Sequence, residues 1–105
     1  MSPVQRFGII GGGAWGTALA QVLRRAGRDI VLWAREAETV EAINRGHTNP
    51  LFLPGITLDA GIVATAELAM AARAEALLLT VPAQYLRQIC ATIAPHLGAR
   101  MPVVI

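Results

Sequence analysis

The stretch Phe7-Gly8-Ile9-Ile10-Gly11-Gly12-Gly13-Ala14-Trp15-Gly16-Thr17-Ala18-Leu19-Ala20 decides the fold. An apolar run stops at glycines spaced Gly11-x-Gly13-x-x-Gly16, and the apolar residues beyond them switch to helical spacing. The pattern reads as a strand, a tight turn and the start of a helix. Gly11 suits the sharp turn, Gly13 lets the backbone come close to a diphosphate, and Gly16 lets the helix lie against the strand. The unpaired N–H groups and the positive end of the helix dipole then face an anion. Glycine-rich turns are common, so the weight rests on the place of this one between a strand and a helix, which points to dinucleotide binding.

Working outward, residues 4–10 read as the first strand and residues 15–26 as the helix, with Ala18, Leu19, Val22, Leu23 and Ala26 as its apolar face. Arg24 and Arg25 fall in its last turn, where positive charge is favourable, and Gly27 supplies the stop. Residues 29–34 form a second strand, β-branched and continuously apolar, as in a strand covered on both faces. Strand, helix, strand with short connections predicts parallel pairing. Residues 36–44 read as a helix with Ala37, Val40 and Ile43 as its stripe. The segment 47–55 carries two prolines and a Pro-Gly turn, and loops of this length are usually functional or mobile. Residues 62–65 and 76–81 read as strands, 67–72 and 84–94 as helices, the last with Leu86, Ile89, Cys90 and Ile93 on one side. Residues 102–105 begin a fifth strand, which suggests the N-terminal part of a longer protein. The expected fold is α/β, a Rossmann-type doubly wound parallel sheet, with residues 1–105 forming one dinucleotide-binding domain.

Composition narrows the function. The chain has 105 residues, 54% hydrophobic and 15% charged, a profile of a packed core rather than of disorder. All nine basic residues are arginines, dispersed among glutamates, which reads as a solvated surface and not as a nucleic-acid groove. With no lysine in the chain, chemistry that needs one must lie elsewhere. The single cysteine, Cys90, excludes an internal disulfide, makes a cytoplasmic setting the default, and reads as a helix packing residue. No apolar stretch is long enough for a membrane span. His47 and His96 are isolated, with no metal-ligand spacing.

The end of the second strand decides which nicotinamide cofactor fits, because the adenosine ribose sits there, about 20 residues past the glycines. Its order is Trp33-Ala34-Arg35-Glu36. A guanidinium suits a 2′-phosphate by charge and by its forked donors, so Arg35 favours NADP over NAD, while Glu36 could accept from a ribose hydroxyl. Trp15 reads either as a ring beside the cofactor or as an aromatic packed on the first strand. Tyr85, just past the fourth strand, either stacks on the cofactor or covers core.

Four motifs in order resemble the N-terminal domain of the NAD(P)-dependent glycerol-3-phosphate dehydrogenases. They are Gly11-Gly12-Gly13-Ala14-Trp15-Gly16-Thr17-Ala18-Leu19-Ala20, Val31-Leu32-Trp33-Ala34-Arg35, Asn49-x-x-Phe52-Leu53-Pro54-Gly55, and Val81-Pro82 followed by Gln84-Tyr85. The resemblance implies hydride transfer between a nicotinamide and C2 of dihydroxyacetone phosphate, giving sn-glycerol 3-phosphate for phospholipid synthesis. It implies that Gly11, Gly13 and Gly16 shape the diphosphate site, that Ala14 and Trp15 contact the cofactor, that Arg35 takes the 2′-phosphate, and that Phe52 and Tyr85 line the pocket. Ala14 stands where the family usually has serine, and Phe52 where it has tyrosine. The lysines that such enzymes use for substrate and catalysis belong after the fifth strand and in a helical C-terminal domain, so no catalytic residue is expected within residues 1–105. The chain alone is expected to bind dinucleotide and turn over nothing.

Hydroxyacid dehydrogenases and ketopantoate reductase share the glycine turn and a post-strand arginine but lack the Asn-x-x-x-Leu-Pro-Gly loop as part of the set. A non-enzymatic dinucleotide-sensing module is the alternative outside enzymology. An oligomer interface on the 47–55 loop, a homodimer in its simplest form, stays open.

Overall fold

In the computed structural model, residues 4–97 and 101–105 are described. Five parallel strands stand in the order β3-β2-β1-β4-β5: β1 Arg6–Ile10, β2 Asp29–Trp33, β3 Ile62–Thr65, β4 Ala76–Leu79 and β5 Val103–Val104. The helices are α1 Ala14–Arg25, α2 Ala37–Glu41, α3 Leu68–Ala72 and α4 Ala83–Ile93. The chain starts at the central β1, lays β2 and β3 on one side of it, then crosses back to lay β4 on its other flank. The β1/β4 boundary is therefore the switch point, where ligands of open α/β sheets bind beyond the carboxyl ends of the strands. Register is set by Gly8 facing both Val31 and Leu77, with Ile9 between Leu32 and Leu78.

Two apolar layers cover the sheet. Ile9, Ile30, Leu32, Ile43 and Ile62 pack in one, with Leu19 and Leu23 of α1 against them. Ile10, Leu77, Leu79, Ile89 and Ile93 form the other, joined by Leu86 and Cys90 of α4. Each such side chain is worth about 1.5–3 kcal/mol when fully buried.

The apolar stripe expected on the first helix is corrected in part. Leu19 and Leu23 do face the core, but Val22 is 63% exposed and Ala26 lies past the last turn. The closest approach is made by Gly16, Thr17 and Ala20 instead, because a helix resting on a strand needs small residues at the contact more than apolar ones. The helix closes as a Schellman motif: the Arg28 N–H reaches the Leu23 carbonyl at 3.1 Å and the Gly27 N–H that of Arg24 at 3.0 Å, with Gly27 at φ 85.

The helix expected over residues 36–44 is shorter. After α2 the backbone widens into a π-helical turn, Ala42–Gly46, which ends at His47 in the left-handed conformation, φ 53. Thr39 and Ile43 are buried, whereas Ala37 is exposed. The turn aims Asn44 at the outer strand. Its Nδ2 donates to the Ala64 carbonyl at 2.9 Å and its Oδ1 accepts from the Ala64 N–H at 2.8 Å, so a side-chain amide takes the place of a neighbouring peptide on β3.

From His47 to Gly61 the chain crosses without helix or strand, bound at two points. Asn49, fully buried, holds the start. The Asp59 N–H donates to Gln21 at 2.8 Å, and its carboxylate accepts from Arg24 Nε at 3.2 Å and from the Gly61 N–H at 2.7 Å. Hydrogen bonding from Gly61 is the main cause that holds the Asp59 carboxyl below its ordinary value; desolvation works against it and Arg24 with it.

Candidate functional site

A cavity of about 570 Å³ opens at the carboxyl ends of β1, β2 and β4. Gly11, Gly13, Ala14, Trp15, Gly16, Arg35, Phe52 and Tyr85, drawn from four separate stretches of chain, all border it. Ten further residues complete its walls, among them Gly12, Trp33, Glu36 and the Val81-Pro82 pair; Leu68, Thr80, Gln88 and Thr92 have no place among the expected site residues.

The glycine corner is shaped by what cannot be added. Gly11 sits at φ 135, and a Cβ there would strike Thr80 Oγ1. A Cβ on Gly16 would drive into the Gly11 carbonyl, and one on Gly12 would come within 2.6 Å of Ala34 Cβ. Gly13 differs, having no atom within 4 Å of where its Cβ would stand. It leaves open space at the N-terminus of α1, where no side chain caps the helix and no acidic residue lies in the first turn. The amides of Ala14, Trp15 and Gly16 therefore keep donors and a positive dipole end at the cavity. An anion with a diphosphate's shape fits this corner, and the loss of a hydroxyl at Ala14 leaves those donors in place.

Asn49 fixes the corner from behind. Its Nδ2 donates to the Gly12 carbonyl and to Thr17 Oγ1, both at 2.8 Å, while its Oδ1 accepts from the Phe52 N–H at 3.3 Å. The Leu53 N–H donates to the Asn49 carbonyl at 2.8 Å. One buried amide thus ties the 47–55 loop to the glycine turn and sets Phe52 at the cavity. The Asn in the loop motif is legible in sequence, but this connection is not, because its partners lie 32 and 37 residues away. Thr80 closes the other side, its hydroxyl donating to the Ile10 carbonyl at 3.1 Å and the Gly11 carbonyl at 3.3 Å.

At the mouth, Trp15 is 70% exposed, which excludes its packing on β1. Trp33 ends β2 with its Nε1 donating to the Ala66 carbonyl at 3.0 Å, so its ring is fixed along the wall. On the far rim the Arg35 guanidinium lies over the Tyr85 ring, 5.1 Å from its centroid. The guanidinium beside it, and then Gln84, hold the Tyr85 hydroxyl below the ordinary phenol range. Along α4, Tyr85, Gln88, Ile89 and Thr92 reach the cavity at steps of three, four and seven residues, one helical face. His47 and His96 stand outside the cavity, and among the described residues no group of three or more His, Cys, Asp or Glu could hold a metal. No helix among the described residues is long and apolar enough to cross a membrane.

Comparison with known proteins adds a family to this geometry. Residues 6–105 match the family model described as NAD-dependent glycerol-3-phosphate dehydrogenase N-terminus. The chain is 57% identical over 102 residues to a glycerol-3-phosphate dehydrogenase [NAD(P)+] of Paramagnetospirillum magneticum, covering 97% of this chain and 37% of that one. It is 56% identical over 103 residues to the enzyme of the same name from Rhodospirillum rubrum, covering 97% and 30%. Among solved structures, the glycerol-3-phosphate dehydrogenase of Coxiella burnetii superposes with a TM-score of 0.87 at 27% identity, covering 95% of this chain and 31% of that one. The chain spans about a third of the length of these relatives.

Proposed function

This chain belongs to the NAD-dependent glycerol-3-phosphate dehydrogenase N-terminal family, and from that premise we propose that its cavity seats NADP or NAD, with NADPH preferred. The observation that carries the proposal is the convergence of the glycine turn, Arg35, Phe52 and Tyr85 on one cavity at the switch point of the sheet. In this reading the diphosphate lies against Gly11, Gly13 and the amides that open α1. Trp15 and Phe52 offer ring faces to the flat parts of the ligand, and Tyr85 lines the pocket beside Arg35. Arg35 takes the 2′-phosphate, for which an exposed guanidinium is the matching charge.

When bound, the reduced nicotinamide supplies a hydride for C2 of dihydroxyacetone phosphate, and a proton goes to the C2 oxygen, giving sn-glycerol 3-phosphate. We propose this reaction for a protein that joins this domain to the remainder its relatives possess, with phospholipid synthesis as the use of the product and the cytoplasm as its setting. The part played by residues 1–105 is to bind and orient; no residue here is assigned to proton transfer, and a lysine-free chain has no ammonium to hold the substrate phosphate. The family model favours this reading over the ketopantoate-reductase-like alternative.

A titration with NADPH and separately with NADH, read by the fluorescence of Trp15 and Trp33, tests the assignment. Saturable binding is expected, tighter for NADPH, and Arg35→Ala should lower NADPH affinity about tenfold while changing NADH affinity little. An unchanged NADPH to NADH ratio in Arg35→Ala would remove the 2′-phosphate assignment, and absence of binding by a folded sample would remove the site.

A further inference from the structure

Arg35 leaves the sheet just after β2 and is exposed, and among the described residues its guanidinium makes no ion pair. A long side chain in that situation samples many rotamers, and ordering it on a ligand costs affinity. Tyr85 stands in a different position. It lies in the first turn of α4, its N–H donates to the Pro82 carbonyl at 2.9 Å, and the helix behind it is rooted by Ile89 and Ile93 in the core. The ring therefore starts from a backbone held in place, and the guanidinium rests over it, 5.1 Å from the centroid. Both residues border the same cavity.

We infer that Tyr85 is a positioning residue for cofactor discrimination: its ring face holds the Arg35 guanidinium at the cavity rim, and through Arg35 it sets the preference for NADPH over NADH. The inference rests on the assignment of Arg35 to the 2′-phosphate given above. It differs from stacking of Tyr85 on the ligand, since a ring that only stacks strengthens NADPH and NADH alike and leaves their ratio alone.

Two measurements test it. The first needs no ligand: Tyr85 is the only tyrosine in the sequence, so phenolate absorbance against pH reports it alone. In Arg35→Ala its midpoint should rise toward the ordinary phenol value. A midpoint that Arg35→Ala does not move would show that the two side chains do not meet in solution and would overturn the inference.

The second is the NADPH to NADH affinity ratio across four forms: wild type, Tyr85→Leu, Arg35→Ala and the double variant, with circular dichroism to show that each is folded. Tyr85→Leu should reduce the ratio about two- to fivefold, the strength of an exposed cation–π contact. The same substitution in the Arg35→Ala background should leave the ratio unchanged, and Tyr85→Phe, which keeps the ring, should retain most of the preference. If Arg35→Ala moves the ratio and Tyr85→Leu does not, the positioning role is wrong and the 2′-phosphate assignment stands. If neither moves it, both fall together.

Discussion

At one end of the cavity Gly11, Gly12 and Gly16 sit against backbone and side-chain atoms that admit no Cβ, with Asn49 hydrogen-bonded to the Gly12 carbonyl from behind. At the other end Arg35 and Tyr85 stand at the surface and meet through a guanidinium and a ring face. The first end recognises by shape and by main-chain donors, which are part of the fold; the second recognises by side chains that the fold does not need. It follows that the packed glycines of the diphosphate seat, Gly11, Gly12 and Gly16, cannot be altered without cost to the stability of the domain, whereas the choice between two cofactors can change at little cost to folding.

The largest effect is expected at Gly16. Gly16→Ala places a methyl group on the Gly11 carbonyl, a backbone atom just past β1 that accepts from the Thr80 hydroxyl, and should lower unfolding free energy by about 3 kcal/mol in urea denaturation. Gly13→Ala is the sharpening partner. Its φ of −74 and ψ of −173 suit alanine, so stability should hold within about 1 kcal/mol, while the methyl group fills the open seat and weakens both dinucleotides. Equal losses of stability in the two variants would mean that the corner is not divided into a packed part and an open part.

Next comes Asn49→Ala, which strips a donor from the buried Gly12 carbonyl and Thr17 hydroxyl and should cost about 2 kcal/mol, with a parallel loss of dinucleotide binding as Phe52 comes loose. A stability loss without any change in binding would show that the loop and the glycine turn are not coupled. Arg35→Ala, by contrast, should change the denaturation midpoint by no more than the equivalent of about 0.5 kcal/mol while it alters cofactor preference.

The smallest effect concerns protons. The carboxyl of Asp59 is held below its ordinary value, chiefly by the Gly61 N–H. A depressed folded-state value means that its contribution is present above the ordinary carboxylate range and is lost as pH falls through the lowered one. Denaturation midpoints followed into acid should therefore fall less steeply in Asp59→Asn than in wild type. Because Asp59 is part of the surface, like the Arg35 rim, a large effect would move it into the buried class.

Much of this was readable in the order of residues. Period and punctuation located the strands to within two residues, since Gly11 and Pro82 interrupt apolar runs that can only be buried. All eight candidate residues met at one cavity because the carboxyl end of a parallel strand is a fixed address in this topology. What was misread concerned size and distance. Val22 was placed in the core by hydrophobicity, although the contact between α1 and β1 selects smallness at Gly16 and Ala20. The π-helical turn after α2 carries Asn44, which pairs with Ala64 twenty residues on, and no local pattern announces such a bond. Gln88 and Thr92 lie outside every sequence motif, because the cavity wall they form is made only when α4 lies against the sheet.

The crossover between α2 and β3, fastened at Asn49 and again at Asp59, has a consequence for engineering. Two ties divide one long closure into short ones, and the free span between them can lengthen cheaply: doubling a flexible loop costs only about 0.6 kcal/mol, less than the loss of the Asn49 tie. Gly55, exposed and at φ 80 with no atom within 4 Å of its missing Cβ, is the natural point for a graft. A peptide inserted there would stand three residues from Phe52 at the cavity wall, close enough to carry a fluorophore that reports on whatever occupies the cavity.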